Sequence, residues 1–247
     1  MDLGFSGKVF IVTGSTAGIG LALAQRLKDE GASVVTSGRR DEGIGNLHVS
    51  ADLTQRGEPE RLVTATLERF GRLDGLVNNV GGTDVRKLDD LTDDDWQASF
   101  ELNLMSAVRA TRAAIRALTT ARGAIVNVSS SAGKRPSLIM PDYSVMKAAL
   151  LSFSRLVADV HAADGIRCNA VTPGPTATQI WLGEGGLAEQ QGNRDEVLAK
   201  VAAGRPLGRL GEPAEIADVI VFLLSERAAN VTGAAWSADG GTVAIIV

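Results

Sequence analysis

Apolar and polar positions along the chain follow two periods. Short apolar runs rich in β-branched residues predict strands near 8–13, 33–37, 47–50, 74–78, 124–129, 166–171 and 234–238. Between them, apolar residues recur at helical spacing and predict helices over 18–29, 56–70, 92–118, 142–163 and 213–225. Strands that alternate with helices predict a doubly wound α/β fold, in which helices cover both faces of a parallel sheet.

One connection is short for this arrangement. Only residues 39–47 separate the second predicted strand from the third, and Gly43 and Gly45 interrupt them. A crossover between parallel strands usually needs a dozen or more residues, because it contains a helix. The segment therefore predicts a connection without a crossover helix.

Length and composition describe a single globular domain. The 247 residues contain no linker, repeat or low-complexity segment, and 45% of them are hydrophobic and 22% charged. The net charge of −4 and the scattered arginines do not indicate nucleic-acid binding, and no apolar run reaches the length of a membrane span. The N-terminus lacks a signal-peptide pattern and Cys168 is the only cysteine, so we expect a cytoplasmic protein.

A glycine-rich segment joins the first predicted strand to the first predicted helix. Glycines permit a tight turn and close backbone approach, and a helix N-terminus offers free N–H groups and the positive end of its dipole. Strand, turn and helix in this order predict a binding site for the pyrophosphate of a dinucleotide. The residues expected to form it are Gly14, Ser15, Thr16, Gly18, Ile19 and Gly20.

The only tyrosine, Tyr143, precedes Lys147 by four residues at the start of a predicted helix. Residues at this spacing share one helix face, and a nearby ammonium lowers the pKa of a phenol. The strand at 124–129 ends upstream at Ser130, on the edge of the sheet where α/β proteins build their sites. Tyr143 and Lys147 are therefore candidates for proton transfer on a carbonyl/alcohol couple.

Together these segments resemble the short-chain dehydrogenase/reductase family. The matching residues span about 7–242 in the family's order and spacing, and they are Thr13-Gly14-x3-Gly18-Ile19-Gly20, Asn78-Asn79-Val80-Gly81, Asn103, Ser130, Tyr143-x3-Lys147 and Pro173-Gly174. The resemblance implies one Rossmann domain with a seven-stranded parallel sheet in the order 3-2-1-4-5-6-7. It also implies an oxidoreductase that uses NAD(P)(H) to interconvert a ketone and a secondary alcohol.

The resemblance gives each candidate catalytic residue a role. Tyr143 would be the general acid in reduction and the general base in oxidation, while Lys147 would lower its pKa and hold the nicotinamide ribose. Ser130 would hydrogen-bond the substrate oxygen. Asn103 would hold a water that links Lys147 to solvent; alternatively it is an exposed residue on the surface of the predicted helix over 92–118.

Further cofactor contacts follow from the resemblance. Those expected on the adenine and ribose side are Asp52, Leu53, Asn79, Val80 and Gly81. Those expected at the nicotinamide carboxamide or a phosphate are Pro173, Gly174, Thr176 and Thr178. An aspartate before Leu-Thr is alternatively a turn or cap residue.

The end of the second strand favours NADP(H), with NAD(H) possible. Gly38 stands where NAD-binding relatives carry an acidic residue, and Arg39 and Arg40 follow it. Guanidinium groups suit a 2′-phosphate. Alternatively, both arginines are solvated and pair with Asp41 and Glu42.

The segment from 176 to about 205 lacks strand character and contains Gly183, Gly185, Gly186 and Gly192, which is typical of a substrate lid. A disordered excursion is the alternative. The predicted substrate pocket is largely apolar, and its residues are Ser130, Leu138, Ile139, Met140, Trp181 and Leu182. Cations near its mouth that suit an acidic group are Arg86, Lys134 and Arg135. The two histidines have no ligand spacing, so we expect no metal.

The sequence leaves several functions open. The favoured one is NADP(H)-dependent interconversion of a small, largely apolar ketone and its alcohol. A 3-oxoacyl-thioester reductase of the acyl carrier protein type is the alternative among enzymes, and a catalytically silent nucleotide-binding regulator the alternative outside them. We also expect a homo-oligomer, specifically a tetramer. Its contacts would involve helices 92–118 and 142–163 and the C-terminal helix and strand, together with the apolar tail 242–247.

Overall fold

The computed structural model describes residues 2–244, and within them seven parallel strands form one sheet. The strands are β1 (Val9–Thr13), β2 (Ser33–Gly38), β3 (Leu47–Ser50), β4 (Gly75–Asn78), β5 (Ala124–Val128), β6 (Arg167–Pro173) and β7 (Ala235–Ala238). Their order is β3-β2-β1-β4-β5-β6-β7. The predicted strands and their order are confirmed. Strands β1 to β3 are added towards one edge of the sheet and strands β4 to β7 towards the other. This change of direction between β1 and β4 leaves a crevice at the carboxyl ends of the strands.

Helices cover both faces of the sheet. They are α1 (Gly18–Asp29), α2 (Glu58–Phe70), α3 (Asp93–Phe100), α4 (Ser106–Ala121), α5 (Ser131–Lys134), α6 (Pro141–His161), α7 (Gln179–Leu182), α8 (Leu187–Gln190), α9 (Arg194–Ala203) and α10 (Pro213–Leu224). Successive side chains of β1 point to opposite faces, so Phe10 packs with Leu23 of α1 and Ile220 of α10. Ile11 packs in the second core with Leu118 of α4.

The predicted helix over 92–118 contains a π-helical turn. Thr92 begins α3 with a capping box, because its hydroxyl accepts from the Asp95 N–H while the Asp95 carboxylate accepts from the Thr92 N–H. The π turn at Glu101–Met105 follows, and α4 then continues to Ala121. Helical spacing of the apolar residues continues across the turn, so the sequence pattern did not reveal it. The turn carries Asn103, and π turns frequently mark functional positions.

Two connections differ from the usual α/β pattern. Residues 39–46 contain no helix, as their length predicts. Asn46 fixes the end of this connection to β2, because its Oδ1 accepts from the Val34 N–H at 2.9 Å. The 176–205 segment folds into α7, α8 and α9, which sequence reasoning missed. None of the helices in residues 2–244 is long and apolar enough to cross a membrane.

Candidate active site

The carboxyl ends of β1, β4, β5 and β6 open into a cavity of about 440 Å³, a volume typical of small-molecule sites. The residues that follow these strands line it, together with the start of α6 and part of the 176–205 segment. Of the expected cofactor contacts, those that line the cavity are Ile19, Asn79, Gly81, Pro173, Gly174, Thr176 and Thr178.

The glycine-rich turn, of which Ile19 lines the cavity, fits a pyrophosphate. Gly14 and Gly18 have φ angles of 62° and 53°, which other residues rarely adopt. A Cβ on Gly18 would lie 3.0 Å from Cγ2 of Thr178, and one on Gly20 would collide with the Gly14 carbonyl oxygen. The N-terminus of α1 has no side-chain cap and no acidic residue in its first turn, so its first N–H groups are available to an anion.

Two side chains hold this turn in place. Ser15 is buried, and its Oγ accepts from the Ser37 N–H at 3.0 Å. Asn79 donates from Nδ2 to the carbonyl oxygens of Thr13 and Gly14, both at 3.0 Å. The hydroxyl of Ser15, which we expected to contact the cofactor, is used within the fold, because it connects β1 to β2.

Ser130, Tyr143 and Lys147 line the cavity together. Ser130 caps α5, where its Oγ accepts from the Ala132 N–H at 3.1 Å, and it lies close enough to the Tyr143 hydroxyl to oppose the rise in the pKa of the phenol. Lys147 lies one turn after Tyr143 on α6, and its Nζ is 5.5 Å from the centre of the phenol ring. This Nζ donates to the carbonyl oxygen of Val128 at 3.0 Å, which ties α6 to the end of β5.

Burial sets the protonation of this pair. It raises the pKa of Tyr143 to about 12, because the phenolate would lose hydration, and the nearby Ser130 side chain opposes the rise. It lowers the pKa of Lys147 to about 8 for the same reason, since there the charged form is the ammonium. Desolvation of the phenol thus outweighs the other effects on the Tyr143 pKa, and the lowering of this pKa by Lys147 stays a prediction. At neutral pH Tyr143 is therefore a phenol, the form that donates a proton.

Asn103 is buried in the π turn and reaches the backbone after β4. Its Oδ1 accepts from the Gly82 N–H at 3.0 Å, and its Nδ2 donates to the Gly82 carbonyl oxygen at 3.1 Å. A Cβ on Gly81 would lie 3.0 Å from this Oδ1 and 2.9 Å from Nζ of Lys147. Asn103 and Lys147 thus flank Gly81. The alternative of an exposed helix-surface asparagine is wrong, whereas the water-holding role stays a prediction.

The end of β2 lies beside the glycine-rich turn. A Cβ on Gly38 would lie 2.5 Å from Cγ2 of Thr16, so an acidic residue at this position would displace the Thr16 side chain. Arg39 and Arg40 are both exposed. Among the ion pairs within residues 2–244, neither arginine pairs with Asp41 or another carboxylate. Two exposed guanidinium groups without an ion pair among the described residues therefore follow β2, where we expect the ribose of the cofactor.

The residues that follow β3 make their main side-chain contacts within the fold. Oδ1 of Asp52 accepts from the Thr54 hydroxyl at 2.7 Å and the Thr54 N–H at 3.0 Å, and these bonds lower the Asp52 pKa. Asp52 is thus a turn residue, as the alternative interpretation held, and its adenine contact stays a prediction. The Leu53 side chain is buried in the core with Leu62 of α2, so only its backbone remains for a cofactor. Val80 likewise packs against that core.

The apolar wall differs from the expected one at two residues. Met140 and Trp181 line the cavity as predicted. Leu138 does not, because it stands at the corner of the turn Ser137–Met140 and is 93% exposed. Leu182, at the end of the single-turn α7, also lies outside the cavity wall. Ile139 lines the cavity as expected, and the apolar residues of the 176–205 segment that sequence reasoning missed are Ile180, Leu187 and Val201. One helical turn is too short for its buried face to be read from spacing.

The expected cations at the mouth divide into two groups. Lys134 donates to the carbonyl oxygen of Ala235 at 2.9 Å, and Arg86 pairs with Asp95 at 2.5 Å, so both are engaged elsewhere. Arg135 lines the cavity. The cavity also contains Arg205, which no sequence pattern indicated.

Comparison with known proteins agrees with this geometry. Residues 14–243 match the family model described as "Enoyl-(Acyl carrier protein) reductase". The chain belongs to the short-chain dehydrogenase/reductase family. It is thus an oxidoreductase that acts on CH–OH donors and their carbonyl products with NAD(P) as cofactor, and the glycine-rich turn described above fits that cofactor.

Three relatives illustrate the match. The chain is 35% identical to cis-4-hydroxycyclohexanecarboxylate dehydrogenase from Sinomonas cyclohexanicum, over 99% of this chain and 100% of that protein. It is 36% identical to (5R,7aS)-5-hydroxy-7a-methyl-1-oxo-2,3,5,6,7,7a-hexahydro-1H-indene-carboxyl-CoA reductase from Mycobacterium tuberculosis, over 92% and 90% of the two chains. The crystal structure of L-sorbose reductase from Gluconobacter frateurii, complexed with NADPH and L-sorbose, superposes with a TM-score of 0.93 at 33% identity and covers 100% of both chains.

Proposed function

We propose that this member of the family uses NADP(H) to interconvert a ketone and a secondary alcohol on a largely apolar substrate. The observation that carries the proposal is the placement of Ser130, Tyr143 and Lys147 together in one cavity, which the glycine-rich turn borders at Ile19. A hydroxyl pair of this kind holds and protonates a carbonyl oxygen, which is the proton half of the reaction.

Each residue of the set acts on one atom. When bound, the nicotinamide cofactor supplies or accepts the hydride. In reduction, the Tyr143 hydroxyl donates its proton to the carbonyl oxygen while the Ser130 hydroxyl holds that oxygen in place. Lys147, as an ammonium, stabilises the phenolate that remains. Asn103 fixes the backbone at Gly82 next to Lys147 and, in our interpretation, positions the water that returns the proton.

The preference for NADP(H) rests on the end of β2. Arg39 and Arg40 are exposed and form no ion pair within residues 2–244, and Gly38 leaves no acid to bind a ribose 2′-hydroxyl. A guanidinium attracts a phosphate through charged hydrogen bonds, whereas an acid would repel it. The NADPH in the structure of L-sorbose reductase supports the same choice.

We further propose that the chain is one domain in which the 176–205 segment acts as a lid. This segment carries the apolar wall residues Ile180 and Trp181, and its first turn touches the glycine-rich turn through Thr178. A segment that contacts the expected positions of both cofactor and substrate is placed to exclude water from the reaction.

A second candidate is reduction of a 3-oxoacyl thioester, which the identity to a coenzyme A-thioester reductase favours. A panel of ketones, secondary alcohols, a 3-oxoacyl thioester and an enoyl thioester, assayed with NADPH and NADH by cofactor absorbance, tests both proposals. We expect turnover of ketones with NADPH. Turnover of the thioesters alone would select the second candidate, and no turnover of any carbonyl would overturn both.

A further inference from the structure

A cation that the proposed mechanism does not use lies in the wall of the cavity. Arg205 follows α9, is half-buried and lines the cavity together with Trp181. Its Nη1 donates to the carbonyl oxygen of Val201 at 2.6 Å, while its Nε is buried without a hydrogen-bond partner among the described residues. Burial also lowers the pKa of the guanidinium, an effect that Asp239 opposes. Arg205 therefore retains bonding capacity that the fold does not use.

The charge of the cavity wall is one-sided. Its lining residues include the cations Lys147, Arg135 and Arg205, whereas none of those in the described part of the chain is an aspartate or glutamate. The carboxylate of Asp239 is itself held by the backbone N–H groups of Gly241 and Val243, at 3.0 and 3.1 Å. A partly desolvated cation without a paired carboxylate costs free energy, which a bound anion would offset.

We propose that the substrate carries a carboxylate and that Arg205 binds it inside the cavity. This inference rests on the proposed function, because it names the substrate class of the same site. A guanidinium binds a planar carboxylate through two parallel hydrogen bonds, and the partial burial of Arg205 strengthens them. The apolar wall of Ile139, Met140 and Trp181 then covers the hydrocarbon between the carboxylate and the reacting carbonyl.

We expect Arg135 to contribute to binding of the carboxylate in a different way from Arg205. It is exposed at the cavity wall, whereas Arg205 is half-buried. An exposed charge acts mainly on the rate of encounter and is screened by salt, while a half-buried one acts on the bound complex. We therefore expect Arg135→Gln to weaken the salt dependence of kcat/KM and Arg205→Gln to lower kcat/KM itself.

The kinetic test compares a keto acid with its uncharged ester. The probes are 4-oxocyclohexanecarboxylate and its methyl ester, each with NADPH. Arg205→Gln keeps a donor for the Val201 carbonyl but removes the charge, and Arg205→Lys keeps the charge. Arg194→Gln is the matched control, because Arg194 lies on the same α9, is exposed and lies outside the cavity wall.

The expected result is a loss of kcat/KM that depends on the charge of residue 205 and on that of the substrate. Arg205→Gln lowers kcat/KM for the acid by about tenfold or more and leaves that for the ester, and the KM for NADPH, within about twofold. Arg205→Lys retains most of the activity on the acid, and Arg194→Gln behaves as the parent. Equal kcat/KM for acid and ester in the parent would overturn the inference, as would a loss in Arg205→Gln confined to the KM for NADPH.

A binding measurement separates this inference from the proposed function. Cyclohexanecarboxylate and cyclohexanecarboxamide are titrated into the enzyme with NADP⁺, and the fluorescence of Trp181 is followed, with Trp181→Phe as the control for signal. We expect the carboxylate to bind about tenfold or more tightly than the amide in the parent and equally with it in Arg205→Gln. Equal affinities in the parent overturn the carboxylate site even if ketones turn over. Selective binding without turnover of any carbonyl supports the site and overturns only the proposed function.

Discussion

At the scale of single residues, Lys147 is a buried ammonium held by a carbonyl oxygen rather than by a carboxylate. Burial lowers its pKa to about 8 from an ordinary 10.5, so the native state loses this proton at a lower pH than the unfolded chain does. The buried charge therefore destabilises the fold most below about pH 8, and the penalty fades as the pH rises towards about 10.5.

The direction of this pH dependence predicts how Lys147→Met changes the free energy of unfolding. Relative to the parent, the variant should gain more free energy of unfolding at pH 7 than at pH 10, because only the parent carries the buried charge. Urea denaturation at the two pH values measures the difference in free energy of unfolding between the proteins. Because all other titrating groups are the same in both, this difference belongs to Lys147. A stability difference that does not change with pH would show that Lys147 is not a desolvated cation.

Arg39 gives the second prediction at this scale. Replacing it in Arg39→Asp exchanges an attraction to the 2′-phosphate for a repulsion, while an aspartate suits a free 2′-hydroxyl. The ratio of kcat/KM for NADPH to that for NADH should fall by about tenfold or more, which corresponds to about 1.4 kcal/mol. Steady-state kinetics with the two cofactors measures this ratio, and Arg69→Asp, on the far end of α2, is the control. An unchanged ratio would remove Arg39 from cofactor selection.

The limits of sequence reasoning also differ between residues. Tyr143, Lys147 and Ser130 were identified because helical spacing pairs the first two and a strand end places the third at the edge of the sheet where sites form. Arg205 was missed because a single arginine after a lid helix has the same local pattern as a solvated one. Only the packing of α9 against the cavity distinguishes the two cases. The exposed Leu138 was misplaced for a related reason, since its hydrophobicity said nothing about the turn that points it outward.

At the scale of elements, Gln190 connects the 176–205 segment to the loop after β4. Its Oε1 accepts from the Val85 N–H at 2.6 Å, and its Nε2 donates to Asp84 Oδ1 at 3.2 Å and to the Gly185 carbonyl oxygen at 2.6 Å. One side chain thus bridges α8, the link before it and the facing loop. If this segment is a lid, Gln190 stabilises its closed position.

Gln190→Ala should therefore loosen the segment without altering the catalytic set. We expect faster hydrogen exchange in α7 and α8, a KM for the carbonyl substrate raised by about threefold to tenfold, and an unchanged exchange rate in α6. Hydrogen exchange with mass spectrometry and steady-state kinetics measure these quantities, with the exposed Gln97→Ala as the control. Exchange rates equal to the parent's in α7 and α8 would contradict the lid proposal.

Strands and helices were predictable to different degrees. Most strands contain a short apolar run bounded by turn residues, and successive side chains of β1 pack into two separate cores. The π turn at Glu101–Met105 was not predictable, because a one-residue change in helical phase is smaller than the width of an apolar face. The helices α7 and α8 have four residues each, which is below the length at which periodicity is visible.

At the scale of the whole molecule, the outer face of α6 leaves apolar side chains exposed. Val145 is 50% exposed, and Leu156 and Val160 are each 59% exposed. A stripe of this kind on a long helix favours pairing with a second copy of the chain. Of the predicted apolar tail, residues 245–247 lie outside the described residues, so the oligomer prediction now depends on α6.

We expect a homotetramer with closed symmetry. Sedimentation equilibrium at micromolar concentration should give about four times the chain mass of 25.7 kDa. Leu156→Lys should shift the protein towards smaller species, because it places a charge within the apolar stripe. Leu88→Lys should not, because Leu88 is an exposed leucine outside helices 92–118 and 142–163. A parent protein that sediments as a monomer would contradict the prediction.

The most direct test of the central claim is the turnover of Tyr143→Phe on a ketone that the parent reduces with NADPH. The variant lacks only the hydroxyl that donates the proton to the carbonyl oxygen, so its loss belongs to the chemical step. We predict that kcat falls by about a hundredfold or more while the Kd for NADPH, measured by fluorescence titration, stays within about threefold. A Tyr143→Phe enzyme with near-parent kcat would show that another group supplies the proton and would contradict this account.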